Sequence, residues 1–299
     1  MHTQCDIFRF GSVMHVAVRS LHIYHIKSCA GIDLASSRVD GAGLAWDRRW
    51  LVVDARGQFL TQRTYQHMAR ISTALTDVAL VVAAPGLPEL SIGLNEGRDT
   101  AMIEVGVWGA RIAAHALNPD IASWLTQAIG VACQLMRAAE PFLRQPDDPA
   151  FHTWLGLNGS SDDQADNRFA FADGFPLLIA NQASLDELNQ RLSASHQPPV
   201  GMDRFRPNIV VEGLEAFDED HISELSFGAV RLGVVKACTR CSVPDVNPAT
   251  GEPGPEPGAT LAGFRRFDAS ILLGQNAIVV SGAGGTLHVG DSGEFEYAF

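Results

Sequence analysis

The sequence predicts a mainly β chain with flanking helices, an α+β fold. Three observations carry this. β-branched and aromatic residues gather in short runs, turn signals separate those runs, and only two segments repeat their apolar residues at helical spacing. Residues 16–18 and 21–26 hold β-formers in partial alternation. Asp40-Gly41-Ala42-Gly43 signals a turn. Residues 50–54 form a strand, and Asp54-Ala55-Arg56-Gly57 turns it into residues 58–62 as a hairpin. Residues 79–82 and 90–92 continue the pattern, which suggests a barrel or sandwich.

The first helix falls between Asn118 and Gly130. Asn118 caps it, Pro119 suits the first turn, and Gly130 ends it. Ile121, Trp124, Leu125 and Ile129 share one face and read as core. Residues 144–170 are polar and turn-rich, including Gln145-Pro146-Asp147-Asp148-Pro149 and Gly159-Ser160-Ser161-Asp162-Asp163, and predict a linker or mobile loop. The expected division is one domain over 14–143, a linker over 144–170 and a second domain over 171–299. A second helix covers 182–192, where Ser184-Leu185-Asp186-Glu187 is a capping-box signature and Leu185, Leu188 and Leu192 face inward. Strands resume at 208–211, 229–232, 234–236, 277–280 and 286–289, and residues 251–258 form a flexible loop that could border a site. Residues before Met14 read poorly as structure.

Bulk properties exclude several classes. The 299 residues suffice for a sizeable core, with 46% hydrophobic and 19% charged residues. A net charge of -12 disfavours a general nucleic-acid or anionic-membrane binder. No apolar run approaches the roughly 20 residues that cross a bilayer, and the N-terminus lacks the order of a signal peptide. Five cysteines, an odd number, imply no disulfide framework. The expectation is a soluble cytoplasmic protein.

The chemistry concentrates at Cys238-Thr239-Arg240-Cys241, two thiols flanking an arginine. A thiolate is a soft metal ligand and a nucleophile. A structural zinc site needs four ligands, and no second close pair or His-x-x-x-His partner accompanies this one. A thioredoxin-like dithiol opens a helix, whereas a strand precedes this motif and Pro244 follows it. A pair of small buried residues remains the plain alternative. Basic residues gather in short blocks beside turns: Lys27-Ser28, Asp47-Arg48-Arg49-Trp50 and Arg204-Phe205-Arg206-Pro207-Asn208. Each is either ordinary surface charge or an oxyanion fork. Ser184, at a helix start, is either an ordinary cap or a phosphate seat.

Taken together and in order, these blocks resemble the MOSC proteins, the molybdenum-cofactor sulfurase C-terminal type. The resemblance is to the branch with an added N-terminal MOSC barrel, which includes amidoxime-reducing and hydroxylaminopurine-resistance proteins. It is carried by Ile26-Lys27-Ser28-Cys29-Ala30-Gly31, Trp46-Asp47-Arg48-Arg49-Trp50, Phe171-Ala172-Asp173-Gly174-Phe175-Pro176 with Ala183-Ser184-Leu185, Arg204–Asn208, Cys238–Cys241 with Asn247–Gly251, Leu273-Gly274-Gln275-Asn276, and His288-Val289-Gly290-Asp291. It implies a MOSC N-terminal β-barrel domain followed by a MOSC β-barrel domain. It also implies a molybdenum cofactor (Mo-molybdopterin), with Cys241 as metal ligand and catalytic residue. By the same likeness Lys27, Ser28, Arg48, Ser184, Arg206 and Asn208 hold the pterin and its phosphate. Arg240 adjusts the charge around Cys241, and Cys238 packs nearby without ligating. The implied activity is reduction of a small-molecule N-hydroxylated substrate. Its electrons would come from a separate donor protein of ferredoxin, flavodoxin or cytochrome-reductase type. The alternative is a cofactor or sulfur carrier without redox turnover. Pyridoxal phosphate binding is a further expectation from the resemblance.

Overall fold

The computed structural model describes residues 15–140, 143–158 and 167–298. The segments 1–14 and 159–166, where two of the sequence expectations fall, lie outside the described residues, as does Cys5.

Seven strands close into a barrel. In spatial order they are Leu177–Asn181, Ile209–Glu212, His15–Ile23, Ser292–Tyr297, Ile222–Phe227, Val230–Thr239 and Ser270–Ser281, and the last pairs back to the first. Closure leaves this sheet without an exposed edge among these strands. The first two are parallel neighbours, and the other pairings are antiparallel.

The strand His15–Ile23 explains why its alternation looked only partial. Val16 and Val18 face the barrel core, and so do Leu21 and Ile23. The phase slips by one residue where the register against Ile209–Glu212 shifts between Val18 and Ser20. A β-bulge inserts a residue there and keeps the apolar set inward on both sides. The pairs predicted as separate strands at 229–232 and 234–236 are likewise one bulged strand, Val230–Thr239.

The barrel also crosses the expected boundary between the two halves. His15–Ile23, from the N-terminal end, lies between Ile209–Glu212 and Ser292–Tyr297. Ser36–Asp40 pairs with Thr286–His288. Backbone pairing thus ties residues 15–40 to the C-terminal half.

The remainder of the N-terminal half builds a second β unit. Trp50–Val53, Gln134–Ala138, Ala110–Ala116 and Met102–Val107 form a four-stranded sheet, and Ser72–Leu75, Ala79–Ala83 and Leu90–Gly93 form a three-stranded one. The predicted hairpin after Trp50–Val53 is reduced to a bridge between Val53 and Phe59. Its turn is nonetheless firm, because Asp54 Oδ1 accepts the amides of Arg56 and Gln58.

Helix α1, Pro119–Ile129, matches the sequence in every respect. The Asn118 side chain accepts the Asp120 amide, Gly130 ends the helix at φ 84°, and the four predicted apolar residues are buried. Gly130 suits that left-handed position because it has no Cβ to clash.

Helix α2, Pro149–Asn158, overturns part of the linker expectation. Asp148 Oδ1 accepts the Ala150 amide, and Phe151 and Trp154, three residues apart, pack with Phe175, Ile278 and Val280 on the barrel wall. Gly233 makes the docking possible, since a Cβ there would sit 2.4 Å from the Trp154 ring. Tertiary contact, not local propensity, stabilises so short a helix.

Helix α3, Gln182–Ala194, starts as expected but is capped differently. Asn181 is the cap, through its side-chain oxygen and the Ala183 amide at 3.1 Å. Helix α4, Gly258–Phe264, follows the proline-glycine loop and packs Leu261 against Leu188, Leu192 and Phe205. No helix among the described residues is long and apolar enough to cross a membrane.

Candidate functional site

One rim of the barrel gathers the predicted residues. There the strand His15–Ile23 runs on to Lys27 and Ser28, and Val230–Thr239 ends at Arg240 and Cys241. Arg206 and Asn208 precede Ile209–Glu212, and Asp173 precedes Leu177–Asn181. The second β unit leans over this rim and contributes Phe59, Thr61, Arg63 and Trp108. Between them lies a cavity of about 120 Å³. Lys27, Arg48, Arg63, Arg206 and Arg240 line it, with Asp173 as the sole lining carboxylate among the described residues. Cations from both halves of the chain therefore face one space, in a protein whose overall charge is -12.

Each cation is held in place. The Arg48 guanidinium donates to Asp47 Oδ2 at 2.5 Å, to Asn208 Oδ1 at 3.0 Å and to the Arg206 carbonyl at 3.2 Å. The Arg206 guanidinium donates to the Cys29 carbonyl at 2.7 Å. Both guanidinium groups pack on the Tyr24 ring, at 4.3 Å and 4.1 Å from its centroid, a cation–π arrangement that offsets their mutual repulsion. Burial lowers the Arg206 pKa. Burial is also the largest influence on Arg48, but the Asp47 charge and hydrogen bond, with the Tyr24 and Asp173 charges, together outweigh it and the net shift is upward. Burial also pushes the Tyr24 phenol up to about 12, so the ring stays neutral.

Backbone strain concentrates here. Ser28, Trp46, Arg48 and Arg206 all have positive φ, between 46° and 69°. Such conformations cost bulky residues about 1–3 kcal/mol each and persist where the surroundings over-determine them. The blocks that the sequence marked as basic turns are thus tight turns that aim side chains into the cavity.

Lys27 is buried and donates to the Phe171 carbonyl at 2.8 Å and to Asp173 Oδ1 at 2.5 Å. Burial lowers its pKa, and Asp173 works against that. Burial would raise the Asp173 carboxyl, yet the Lys27 charge and the hydrogen bonds from Lys27 and Trp108 hold it well below the usual carboxylate range. The Asp173 side chain is 75% exposed, so solvent screens this pair. Trp108 Nε1 donates to the same oxygen at 2.7 Å, and the Arg63 guanidinium lies 4.4 Å from the Trp108 ring centroid.

Cys241 is exposed and lines the cavity, as does the half-buried Cys238. Arg240 donates to the Phe205 carbonyl at 2.7 Å and to Cys238 Sγ at 3.2 Å, while its buried Nε has no hydrogen-bond partner among the described residues. Cys238 thus packs beside the site against Arg240. Cys29 and Cys133 are buried, and burial drives the Cys29 thiol up to about 12.

Of the predicted site residues, Lys27, Ser28, Arg48, Arg206, Asn208, Arg240 and Cys241 all line the cavity, and Ser184 does not. Ser184 is fully buried in the first turn of α3, donates to the Glu219 carboxylate and accepts the Phe217 amide at 2.8 Å. Both functions of its hydroxyl are spent, and a buried carboxylate already occupies the place an anion would take. Asn208 lines the cavity as a brace: its Oδ1 accepts both Arg48 and the Leu178 amide. The 251–258 loop does not line this cavity.

Asp173, Tyr24, Arg63 and Trp108 were missed. Asp173 sat inside a quoted block without a role. Trp108-Gly109, between two alternating runs, was a readable signal of an aromatic residue presented at a turn. Nothing in the sequence linked Arg63 to the rim.

The chain belongs to the MOSC family. The family profile described as "MOSC N-terminal beta barrel domain" matches residues 15–132, and "MOSC domain" matches residues 166–294. Among its relatives is the human mitochondrial amidoxime-reducing component 1, 31% identical over 287 residues, covering 92% of this chain and 81% of that protein. The mouse protein of the same name is 30% identical over 286 residues, covering 92% of this chain and 80% of that protein. A rice molybdenum cofactor sulfurase is 29% identical over 274 residues, covering 88% of this chain. The chain spans only 32% of that sulfurase's length. Membership together with these relatives supports a function related to the molybdenum cofactor.

Proposed function

We propose that this protein is a molybdenum-cofactor oxidoreductase that reduces N-hydroxylated compounds with electrons from a separate donor protein. The observation that carries this is an exposed thiol, Cys241, on a cavity lined by five cations. A soft thiolate beside oxyanion-binding forks matches a group with a thiophilic metal at one end and a phosphate at the other. Among the described residues no cluster of three or more His, Cys, Asp or Glu side chains could hold a metal ion. A metal at Cys241 would therefore bring most of its ligands with it, as a dithiolene-bearing pterin does.

In this proposal Cys241 ligates the metal, while Lys27, Arg48 and Arg206 hold the phosphate and pterin. Ser28 borders them, and the buried, unpartnered Arg240 Nε offers one more donor. The bound cofactor supplies the two-electron chemistry that splits the N–O bond. The chain's own residues hold and orient. Asn208 fixes Arg48 through Oδ1, Tyr24 spaces Arg48 from Arg206, and Asp173 pairs with Lys27 and opposes the lowering of its pKa by burial.

Relatives named for amidoxime reduction favour N-hydroxylated substrates and a partner that delivers electrons, since the reaction consumes two. The rice sulfurase keeps a second reading in play, in which the site carries cofactor or sulfur without turnover. The lysines do not favour pyridoxal phosphate. Its chemistry uses a Schiff-base lysine, and the chain's two lysines are both engaged, Lys27 with Asp173 and Lys236 with Asp148.

The test is metal and pterin analysis of protein made in a cofactor-proficient host, followed by benzamidoxime reduction with a chemical electron donor. Bound molybdenum and pterin with turnover, all lost in Cys241→Ser, is the expected result. Cofactor transferred intact to an acceptor without any reduction would favour the carrier.

A further inference from the structure

Cys241 lines two cavities. The second, of about 360 Å³, shares only Arg240 and Cys241 with the first. It lies between the turn Val243–Asp245 and helix α4, beneath the segment around Pro255. We propose that this second cavity seats the N-hydroxylated substrate, and that the Asp245 carboxylate accepts hydrogen bonds from the substrate's N–H and O–H groups beside Cys241. The inference rests on the proposed function and adds to it the substrate's seat and the residue that recognises it.

Four observations support the assignment. First, Asp245 Oδ1 accepts the Gly258 amide at 2.7 Å, while Oδ2 has no hydrogen bond among the described residues. One oxygen anchors the carboxylate and the other remains an acceptor. Second, Gly258 lets the carboxylate approach the start of α4. A Cβ there would lie 2.7 Å from both Asp245 oxygens. Third, apart from Arg240 and Arg266 the remaining walls are small or apolar, with Pro244, Pro255, Ala259, Ala262 and Ile271 offering a seat for a flat hydrocarbon group.

Fourth, the two cavities differ in charge. The first has five cations and suits an oxyanion. Arg240 borders both, but its Nη atoms donate to Phe205 and Cys238, which line only the first. The other charged groups near Asp245 are Arg266 on the second cavity, Arg204, which donates to the Pro244 carbonyl, and Glu256. Burial raises the Asp245 pKa, consistent with a carboxylate that gains from a donor-rich ligand.

An amidoxime presents N–H and O–H donors on a planar head, and its amidine product is a cation. Both match a lone carboxylate acceptor above an apolar floor. In the net reaction the amidoxime takes up two electrons from the donor protein and two protons from water. The N–O bond breaks, the amidine retains the nitrogen, and the oxygen leaves as water. Asp245 orients the head; it does not supply the electrons.

The test measures benzamidine binding by protein-observed NMR, on full-length protein made with and without cofactor synthesis in the host. Asp245→Asn keeps an oxygen for Gly258 but loses the charge. Ala262→Phe fills the cavity from helix α4 and leaves the Asp245 carboxylate and its Gly258 anchor chemically unchanged. Each variant should weaken benzamidine binding about tenfold or more, a loss of about 1.4 kcal/mol. Both should keep wild-type pterin content and a wild-type unfolding midpoint. Unchanged benzamidine affinity in both folded variants would overturn the inference and leave the cofactor reading standing. Absence of pterin from wild-type protein made in the proficient host would overturn the cofactor reading, and the inference with it. Arg206→Ala should lower pterin content while leaving benzamidine binding intact; loss of both would place the amidine in the first cavity instead and refute the assignment.

Discussion

His25 should make this protein lose stability as the pH falls through the mildly acidic range. The ring is fully buried against the second β unit. Its Nδ1 lies 2.8 Å from Thr73 Oγ1, its Nε2 has no hydrogen-bond partner among the described residues, and the Trp50 ring meets it edge-on at 6.4 Å. A protonated imidazole there would leave a charged donor unsatisfied, so burial pushes the pKa from 6.5 down to about 4. The native value lies below the unfolded one, so the unfolded chain takes up the proton first as the pH drops. The stabilisation is complete above the unfolded value and is lost as the pH falls toward the native one. At about 1.4 kcal/mol per unit, the whole interval is worth about 3.5 kcal/mol, of which about 1.4 kcal/mol is gone near pH 5.5.

The measurement is urea unfolding of the wild type and His25→Gln at about pH 7.5 and about pH 5.5. The variant sets the baseline for every other titrating group. The wild type should lose about 1–1.5 kcal/mol more than the variant between the two conditions. Parallel losses would refute the reasoning, because a histidine that does not differ between folded and unfolded states contributes no slope. The effect bears on the site. The Trp50 amide donates to the His25 carbonyl and the Lys27 amide donates to the Trp50 carbonyl, so a protonated His25 strains the segment that carries Lys27 and Ser28.

Other outcomes follow from the same geometry. Cys241→Ser should change unfolding stability by less than about 0.5 kcal/mol, because the residue is exposed, while removing bound molybdenum as read by metal analysis. Asn208→Ala should cost about 1–2 kcal/mol in urea unfolding, since the half-buried Leu178 amide loses its side-chain acceptor, and should lower pterin content by releasing Arg48. Gly233→Ala should cost about 1–3 kcal/mol by driving a methyl into the Trp154 ring, with protease sensitivity rising first at α2.

The sequence by itself determined the β-rich class, the caps and buried face of α1, and the blocks that meet at the barrel rim. Those features are local. A cap needs its own next two residues, an amphipathic face repeats within a few turns, and a basic turn is visible in five letters. Seven of the eight predicted site residues line one cavity because all but Arg48 sit at or near the ends of barrel strands that share one rim, and Arg48, just before Trp50–Val53, reaches that rim from the second β unit. The tertiary structure alone decided the rest. It placed His15–Ile23 in the C-terminal barrel, because pairing partners about two hundred residues apart leave no mark on local pattern. It gave the Ser184 hydroxyl to Glu219, because a buried carboxylate from a distant turn competes for the same donors as a ligand. It folded Pro149–Asn158 into a helix on the strength of one aromatic pair and the space left by Gly233. Nearest neighbours in the chain set the first group of features; long-range competition for hydrogen bonds and volume set the second.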